Sequence, residues 1–341
     1  MTQRPRIRLA LVGAGVAAPP HLHSLHDLRD EVELAWVCTR GAQRADARPT
    51  WPASATHTTR LDDVLADTSV QAALVLTPAH THADLVERLA AAGKHVLVEK
   101  PLDADLARAE RMVASCARHG VQLGVVLQHR MSPAARALAA LLADDGLGEL
   151  LGASASVRWW RPQSYYDEPG RGTLARDGGG VLLTQAIHTL DLLLHLTGKP
   201  VRVTGLARTS PVHRMETEDQ AAGVLQWAIG VVDATTAAWP GYPERISVNG
   251  TRGSATLEAG ALRVLRPDAE PWVVGELQAS GAGANLMGFD HAGHRAVLQD
   301  FLQAIAEHRA PLTDGHSALA AQQLIAAWLR SAQDGRPVDL P

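Results

Sequence analysis

Over the first 127 positions the apolar residues fall in short, nearly continuous runs: Ile7 to Val12, Val32 to Cys38, Ala72 to Leu76, His95 to Val98 and Val121 to Leu127. Strands covered on both faces read this way, whereas strands wetted on one face alternate. Between the runs lie segments of helical period. One is opened by Pro19 and Pro20, and a short one covers Leu61 to Leu65. His82 to Ala92 sets Leu85, Val86 and Leu89 on one face and stops at Gly93. A further helix, capped by Asp103, carries Leu106, Ala109, Met112, Val113 and Cys116 on one face and ends at Gly120. This alternation predicts a doubly wound parallel sheet.

Past Gln128 the pattern changes. Ser132-Pro133 starts a helix to about Ala143, and Leu150 to Arg161 alternates as a half-buried strand. Gly178 to Gly180 precede a helix from Val181 to Leu196, closed by Gly198. Strands then follow at hairpin spacing from Val201 to Leu265, which implies an antiparallel sheet, and helices at about His291 to Glu307 and Ser317 to Ala332 finish the chain. Ala279 to Asn285 reads as a small-residue loop. The expected organisation is α/β: a dinucleotide-binding domain over residues 1–127, and over 128–341 an α+β domain with a large, mostly antiparallel open sheet.

A chain of 341 residues suits two domains, each able to bury a core. A net charge of -4 with interspersed signs gives no electrostatic footprint for nucleic acid or an anionic membrane, so neither partner is expected. No apolar run approaches the ~20 residues of a membrane-spanning helix. Arg4, Arg6 and Arg8 before LALVGAGVAA imitate a secretory signal, but the same residues supply a strand and glycine turn that the following segment needs. The two cysteines, Cys38 and Cys116, sit in apolar runs, which argues against a disulfide framework and for a reducing cytoplasm.

The first run stops at Gly13-Ala14-Gly15-Val16-Ala17-Ala18, a G-x-G-x-x-A dinucleotide fingerprint between a strand and a helix. At the tip of the second strand an acidic residue would select NAD by bonding the ribose. Here the tip reads Cys38-Thr39-Arg40, with Arg44 beyond, and two guanidinium groups could instead pair with a phosphate. NADP(H) is therefore the favoured cofactor. NAD(H), with both arginines merely solvated, is the alternative.

The run KHVLVEKP places Lys100 just past a strand end, where ligands of open α/β sheets collect; a surface lysine in a turn is the bland alternative. In the helix after the glycines, Thr184, His188 and Asp191 share a face at i, i+4 and i+7. An imidazole there could accept the proton of an alcohol under oxidation, or could simply be a packed, hydrogen-bonded histidine. Trp159 to Tyr166 gathers four aromatics within eight residues together with Arg161 and Gln163, a composition suited to a sugar-like ligand; Arg161, Tyr165 and Tyr166 are the candidates. Only one of the two tryptophans can face such a site. His21, His23 and His26, and His80 with His82, invite a metal, but no carboxylate or cysteine stands at a usual ligand spacing, so no metal is expected.

VGAG near the start, Thr77-Pro78 with His82, Glu99-Lys100-Pro101 and GGGVLLTQAIHTLDLL occur in the order seen in the Gfo/Idh/MocA oxidoreductases, which this chain resembles from residue 7 nearly to its end. His294 to Phe301, Pro311 and the GRPV tail extend the likeness. The resemblance implies a Rossmann domain, a second domain whose sheet forms a homo-oligomer, dimer or tetramer, and hydride transfer between a nicotinamide and a hydroxyl or carbonyl of a sugar, cyclitol or related polyol. It makes Lys100, usually followed by a cis peptide, and His188 the catalytic pair. It sets Gly13, Gly15, Val16, Ala17, Thr77, Pro78, His82, Glu99, Gln128 and Arg171 along the cofactor, with Arg130 at the domain junction. Arg130, Thr184 and Gln185 join the aromatic candidates on the substrate. Thr184 stands where many members have aspartate, and Gly170-Arg171-Gly172-Thr173 where a related branch has W-R-G-T, so any proton relay rests on Lys100 and His188. A nicotinamide-binding sensor without turnover and an NAD-dependent glycosidase are the competing functions on this fold.

Overall fold

Five of the six strands in the first sheet are followed within a few residues by a glycine turn, a proline or a helix start, and that grammar builds a parallel sheet. In the computed structural model, which describes residues 6–41, 52, 54–276 and 290–341, the chain divides into two compact units. Residues 1–128 and 290–318 form one, and residues 129–289 and 319–341 form the other. The return of 290–318 to the first unit has no counterpart in the chain-order reading.

The first unit contains β1 (Ile7–Val12), α1 (Ala18–Asp27), β2 (Val32–Cys38), β3 (Thr56–Thr58), α2 (Leu61–Ala66), β4 (Ala72–Val75), α3 (His82–Ala91), β5 (His95–Val98), α4 (Leu106–Arg118) and β6 (Leu123–Val125). The sheet order is β3-β2-β1-β4-β5-β6, parallel throughout. The order reverses at β1 and β4, the place where such sheets open a crevice beyond their carboxyl ends. β4 is buried at every position, as an unbroken apolar run requires when helices cover both faces. The cap of α4 is Asp105, which accepts from Arg108 N, and not Asp103. Asp103 is fully buried and accepts from Ala83 N at 3.0 Å, tying α3 to the loop before α4.

The second unit begins with α5 (Pro133–Ala143), capped by the Ser132 hydroxyl as expected. It continues through β7 (Leu150–Arg158), α6 (Gln163–Tyr166), α7 (Leu174–Asp177), α8 (Val181–Thr184), α9 (Ile187–Thr197), β8 (Arg202–Arg208), β9 (Gln220–Gln226), β10 (Gly230–Thr235), β11 (Arg245–Gly250), β12 (Gly253–Glu258), β13 (Ala261–Leu265) and β14 (Trp272–Val274). After α10 (Ala292–Glu307) of the first unit and α11 (Gly315–Asp334) comes β15 (Val338–Asp339). The nine-stranded order is β14-β13-β12-β11-β7-β10-β9-β8-β15, antiparallel except for β7 with β10. One face carries the core under α5, α8 and α9. The other leaves Leu206, Val224 and Val231 open to solvent.

The expected single helix over 181–196 is two helices. Ala186 N donates to Val181 O, five residues back, whereas Leu190 N donates to Ala186 O, four back. The ladder slips by one residue, a π-type irregularity, and one extra residue turns the following face by about 100°. The apolar period runs through the slip unbroken, so nothing in the pattern marks it. Arg44 and the 279–285 loop lie outside the described residues.

Candidate active site

In the first unit the glycine turn follows β1 directly. Gly13 has φ +90°, and a Cβ there would stand 2.8 Å from Thr77 Cγ2 and 3.0 Å from the Leu76 carbonyl carbon, so glycine alone fits between the turn and the end of β4. A Cβ on Gly15 would meet nothing within 4 Å. No side chain caps α1, whose Ncap is Ala17, so the positive end of that helix keeps its backbone donors for an anion. Open space over a tight turn beside a bare helix start fits a pyrophosphate on Gly13, Gly15, Val16 and Ala17. Gln128 adds a buried Oε1 with no hydrogen-bond partner, an acceptor suited to an amide donor such as the nicotinamide carboxamide.

Lys100 follows β5, and its peptide to Pro101 is cis. Its backbone N donates to Glu99 Oε2 at 3.1 Å, while Glu99 Oε1 lies 2.8 Å from His21 Nε2. Burial alone would raise the Glu99 pKa, but the His21 hydrogen bond and the charges of His21, Lys100 and His294 hold it down to about 2. Thr77 accepts from the Thr81 hydroxyl at 2.7 Å, and Pro78 leads into the short 3₁₀ turn Ala79–Thr81. His82 braces the backbone around this strand end. Its Nε2 lies 2.7 Å from Thr77 O and its Nδ1 3.0 Å from Pro101 O, and the ring is 1% exposed, so both nitrogens are committed to backbone. Burial lowers its pKa.

The second unit builds its candidates on helices and loops over the sheet. α9 is anchored by a buried fork: Arg130 Nε donates to Asp191 Oδ2 at 2.7 Å while an Nη donates to Oδ1. Both side chains are about 95% or more buried, and Arg130 is the ion-pair partner of this helix. His188, three residues before Asp191 on the same helix, is 7% exposed and stacks on His129 with centroids 4.8 Å apart. Thr184 donates to Gly180 O at 2.7 Å and to Gln185 Oε1, and Gln185 Nε2 reaches the Tyr165 hydroxyl at 3.3 Å. Thr184, Gln185 and Tyr165 are therefore one hydrogen-bonded string. The Arg171 guanidinium lies 4.1 Å from the Tyr165 ring centroid and pairs with Glu168.

Two aromatic-stretch candidates are engaged within the protein. The Tyr166 ring is 7% exposed and its hydroxyl lies 2.6 Å from Thr236 Oγ1, with burial pushing its pKa up; it is core. Arg161, 3% exposed, lies over Trp159 at 4.8 Å and donates to Trp160 O at 2.8 Å, so it braces the loop after β7. Trp159 packs against the sheet core, whereas Trp160 meets Trp239 edge-on at 5.5 Å. Glu218 was not foreseen. It accepts from Gly180 N at 3.0 Å and Leu182 N at 3.1 Å, capping α8 from a distant hairpin, and burial raises its pKa. A Cβ on Gly180 would fall 1.8 Å from Glu218 O, which explains the last of the three glycines.

These features bear on comparison with known proteins. Residues 7–127 match the model described as "Oxidoreductase family, NAD-binding Rossmann fold", and residues 135–256 match the "GFO/IDH/MocA C-terminal domain". The chain belongs to the Gfo/Idh/MocA oxidoreductase family. It is 28% identical over 358 residues to D-apiose dehydrogenase of Paraburkholderia graminis, covering 98% of this chain and 90% of that one. The WlbA dehydrogenase of Bordetella pertussis, solved with NADH and UDP-GlcNAcA, is 27% identical, with a TM-score of 0.84 over 99% of each chain. A second WlbA dehydrogenase, from Chromobacterium violaceum and also solved with NADH and UDP-GlcNAcA, is 28% identical, with a TM-score of 0.85 over 100% of this chain and 97% of that one. The Gfo/Idh/MocA resemblance and the two sheet types are thus as expected, and the chain is an oxidoreductase.

The expectation of NADP(H) is corrected, because those solved relatives hold NADH. The error lay in reading a missing carboxylate as a phosphate socket. At the tip of β2 the Thr39 hydroxyl donates to Gly41 O at 3.2 Å and lies 2.8 Å from His57 Nε2, and Arg40 is exposed. No helix among the described residues is long and apolar enough to cross a membrane.

Proposed function

We propose that the protein is an NAD(H)-dependent dehydrogenase of a sugar-like hydroxyl, with Lys100 and His188 acting on one substrate oxygen. The observation that supports this most is the way His188 is held. It is nearly buried, stacked on His129, and carried by a helix that the Arg130–Asp191 fork fixes three residues away. Such restraint suits a group that must meet a proton in one geometry.

Bound NAD⁺ would supply the hydride acceptor. Lys100, as an ammonium, polarises the substrate oxygen, and His188 accepts the hydroxyl proton as the carbon-bound hydrogen departs. An ammonium at the reference lysine pKa of ~10.4 is a poor base at neutral pH, which leaves the proton to the imidazole. The Tyr165, Gln185 and Thr184 string offers neutral donors and acceptors for neighbouring hydroxyls. A relative that is a D-apiose dehydrogenase favours a carbohydrate over an aliphatic alcohol.

Two finer points belong to the same reading. Leu206, Val224 and Val231, on adjacent strands β8, β9 and β10, form an apolar patch on the open sheet face that suits a second copy of the chain. The two buried free cysteines suit a cytoplasmic setting.

The test is a panel of sugars, sugar acids and cyclitols with NAD⁺, followed on the best substrate by Lys100→Ala and His188→Ala. Each replacement should lower kcat by about 10²- to 10⁴-fold while NAD⁺ affinity stays within a few-fold. Unchanged turnover in both would end the assignment of the pair.

A further inference from the structure

The sequence offers histidines at positions 21 and 294 and a glutamate at 99, too far apart along the chain for any ligand-spacing rule to join them. In the first unit they meet. Helices α1 and α10 pack together and bring the His21 and His294 rings edge to face, with centroids 5.0 Å apart. Glu99, at the end of β5, reaches the same point, and one donor atom from each of the three side chains lies within 4.8 Å of the other two. His21 is 1% exposed, His294 5%, and the Glu99 side chain 14%.

We propose that His21, Glu99 and His294 form a binding site for one divalent transition-metal ion of the zinc class, joining α1, β5 and α10. Two imidazoles and a carboxylate are a donor set that Zn²⁺ and Co²⁺ take readily, whereas Mg²⁺ and Ca²⁺ prefer all-oxygen sets. Bonds of 2.0 to 2.2 Å to a tetrahedral ion put neighbouring donors about 3.4 Å apart. The His21 Nε2 to Glu99 Oε1 separation of 2.8 Å and the 4.8 Å limit of the cluster bracket that value, so shifts of about an ångström complete the site. A second observation marks the same ring: His21 Nδ1 is buried with no hydrogen-bond partner, an uncommon and costly arrangement in a side chain 1% exposed. The carboxylate, ionised far below neutrality, balances half of the ion's charge.

The ion would fasten three elements beside the strand end that carries Lys100, and its test reads metal binding without any turnover, so failure of the site and failure of the proposed reaction are distinguishable. The test uses the full chain, free of any affinity tag and stripped with a chelator, titrated with Co²⁺ at pH 7.5. Calorimetry and the visible ligand-field bands of Co²⁺ are the readouts. One equivalent should bind, with the intense absorption of a four-coordinate ion, and Zn²⁺ should displace it. His21→Gln and His294→Gln should each weaken binding at least tenfold, while His291→Gln, which alters the exposed pair His291 makes with Asp27, should leave it unchanged. Far-UV circular dichroism checks that each variant is folded. Absence of Co²⁺ bands and heat in the unaltered chain, or binding that survives both His21→Gln and His294→Gln, would overturn the site and leave a hydrogen-bonded cluster. A rise in thermal midpoint on adding Zn²⁺ to the unaltered chain, lost in folded His294→Gln, supports it without His21→Gln.

Discussion

In the parallel sheet β4 is buried at all four positions and β5 at three of four, while in the mixed sheet β8 and β10 alternate between covered and open positions. A strand covered on both faces can offer polar chemistry only past its end, and there the first unit keeps its glycine turn, Thr77 and Lys100. A strand with one wet face cannot enclose a reacting group between layers. The second unit therefore raises its candidates onto pieces laid over the sheet: Tyr165 on α6, Thr184 on α8, Gln185 in the break and His188 on α9. The first unit positions by strand register and the second by tertiary clamps, so the two should fail in different ways when altered.

The strongest contrast is in the clamp. Asp191→Ala strands a buried guanidinium and should cost the second unit about 3 to 5 kcal/mol, read as an earlier urea midpoint. NAD⁺ affinity should hold wherever the chain remains folded. In the first unit the matching perturbation is Gly15→Val, which has room on the bare protein but fills the space over the turn. It should weaken NAD⁺ tenfold or more, about 1.4 kcal/mol, with stability within about 0.5 kcal/mol. Gly13→Val should instead destabilise the unit itself, because the added carbons meet Leu76 backbone.

Acid should separate the units next. Asp67 accepts from Ser69 and from Trp36 Nε1, and these bonds lower its pKa from 3.8 to about 2. Its contribution is complete above about pH 4 and is lost as pH falls towards 2. Glu218 runs the other way: burial raises its pKa, so its contribution is present below 4.5 and fades as pH rises through the folded value. Amide protection factors at β2 and β4, corrected for the intrinsic exchange rate at each pH, should fall on acidification, and Asp67→Asn should flatten that trend. The smallest effect is at the tyrosine pair. Tyr166→Phe should cost about 1 kcal/mol with KM unchanged, whereas Tyr165→Phe should raise KM with little loss of stability.

The same contrast governs how much could be read without coordinates. β1, β2 and β5 begin and end where their apolar runs do, because burial at most positions up to the last leaves a sharp edge at Gly13, Thr39 and Glu99. α5 was legible through Ser132-Pro133, a cap and a first-turn proline acting locally. The cap of α4 was misplaced by two residues since Asp103 and Asp105 are both suitable, and only the fold assigns one of them to α3. The break at Gln185, the Arg130–Asp191 fork and Glu218 over Gly180 all depend on partners tens of residues away. Arg161 and Tyr166 looked like ligand contacts by type, yet an Arg161 Nη donates to Trp160 O and the Tyr166 hydroxyl meets Thr236. Composition tells which side chains could recognise a sugar and is silent about which are already occupied.

The slipped turn at Ala186 also divides labour along what would otherwise be a single rod. Upstream, Thr184 and Gln185 answer to Gly180 and Tyr165; downstream, His188 answers to His129 and to a helix pinned at Asp191. Under the proposed function, substitutions on the upstream side would retune which hydroxyls are welcomed while the imidazole holds its bearing. A chain built this way can change its diet without relearning its chemistry.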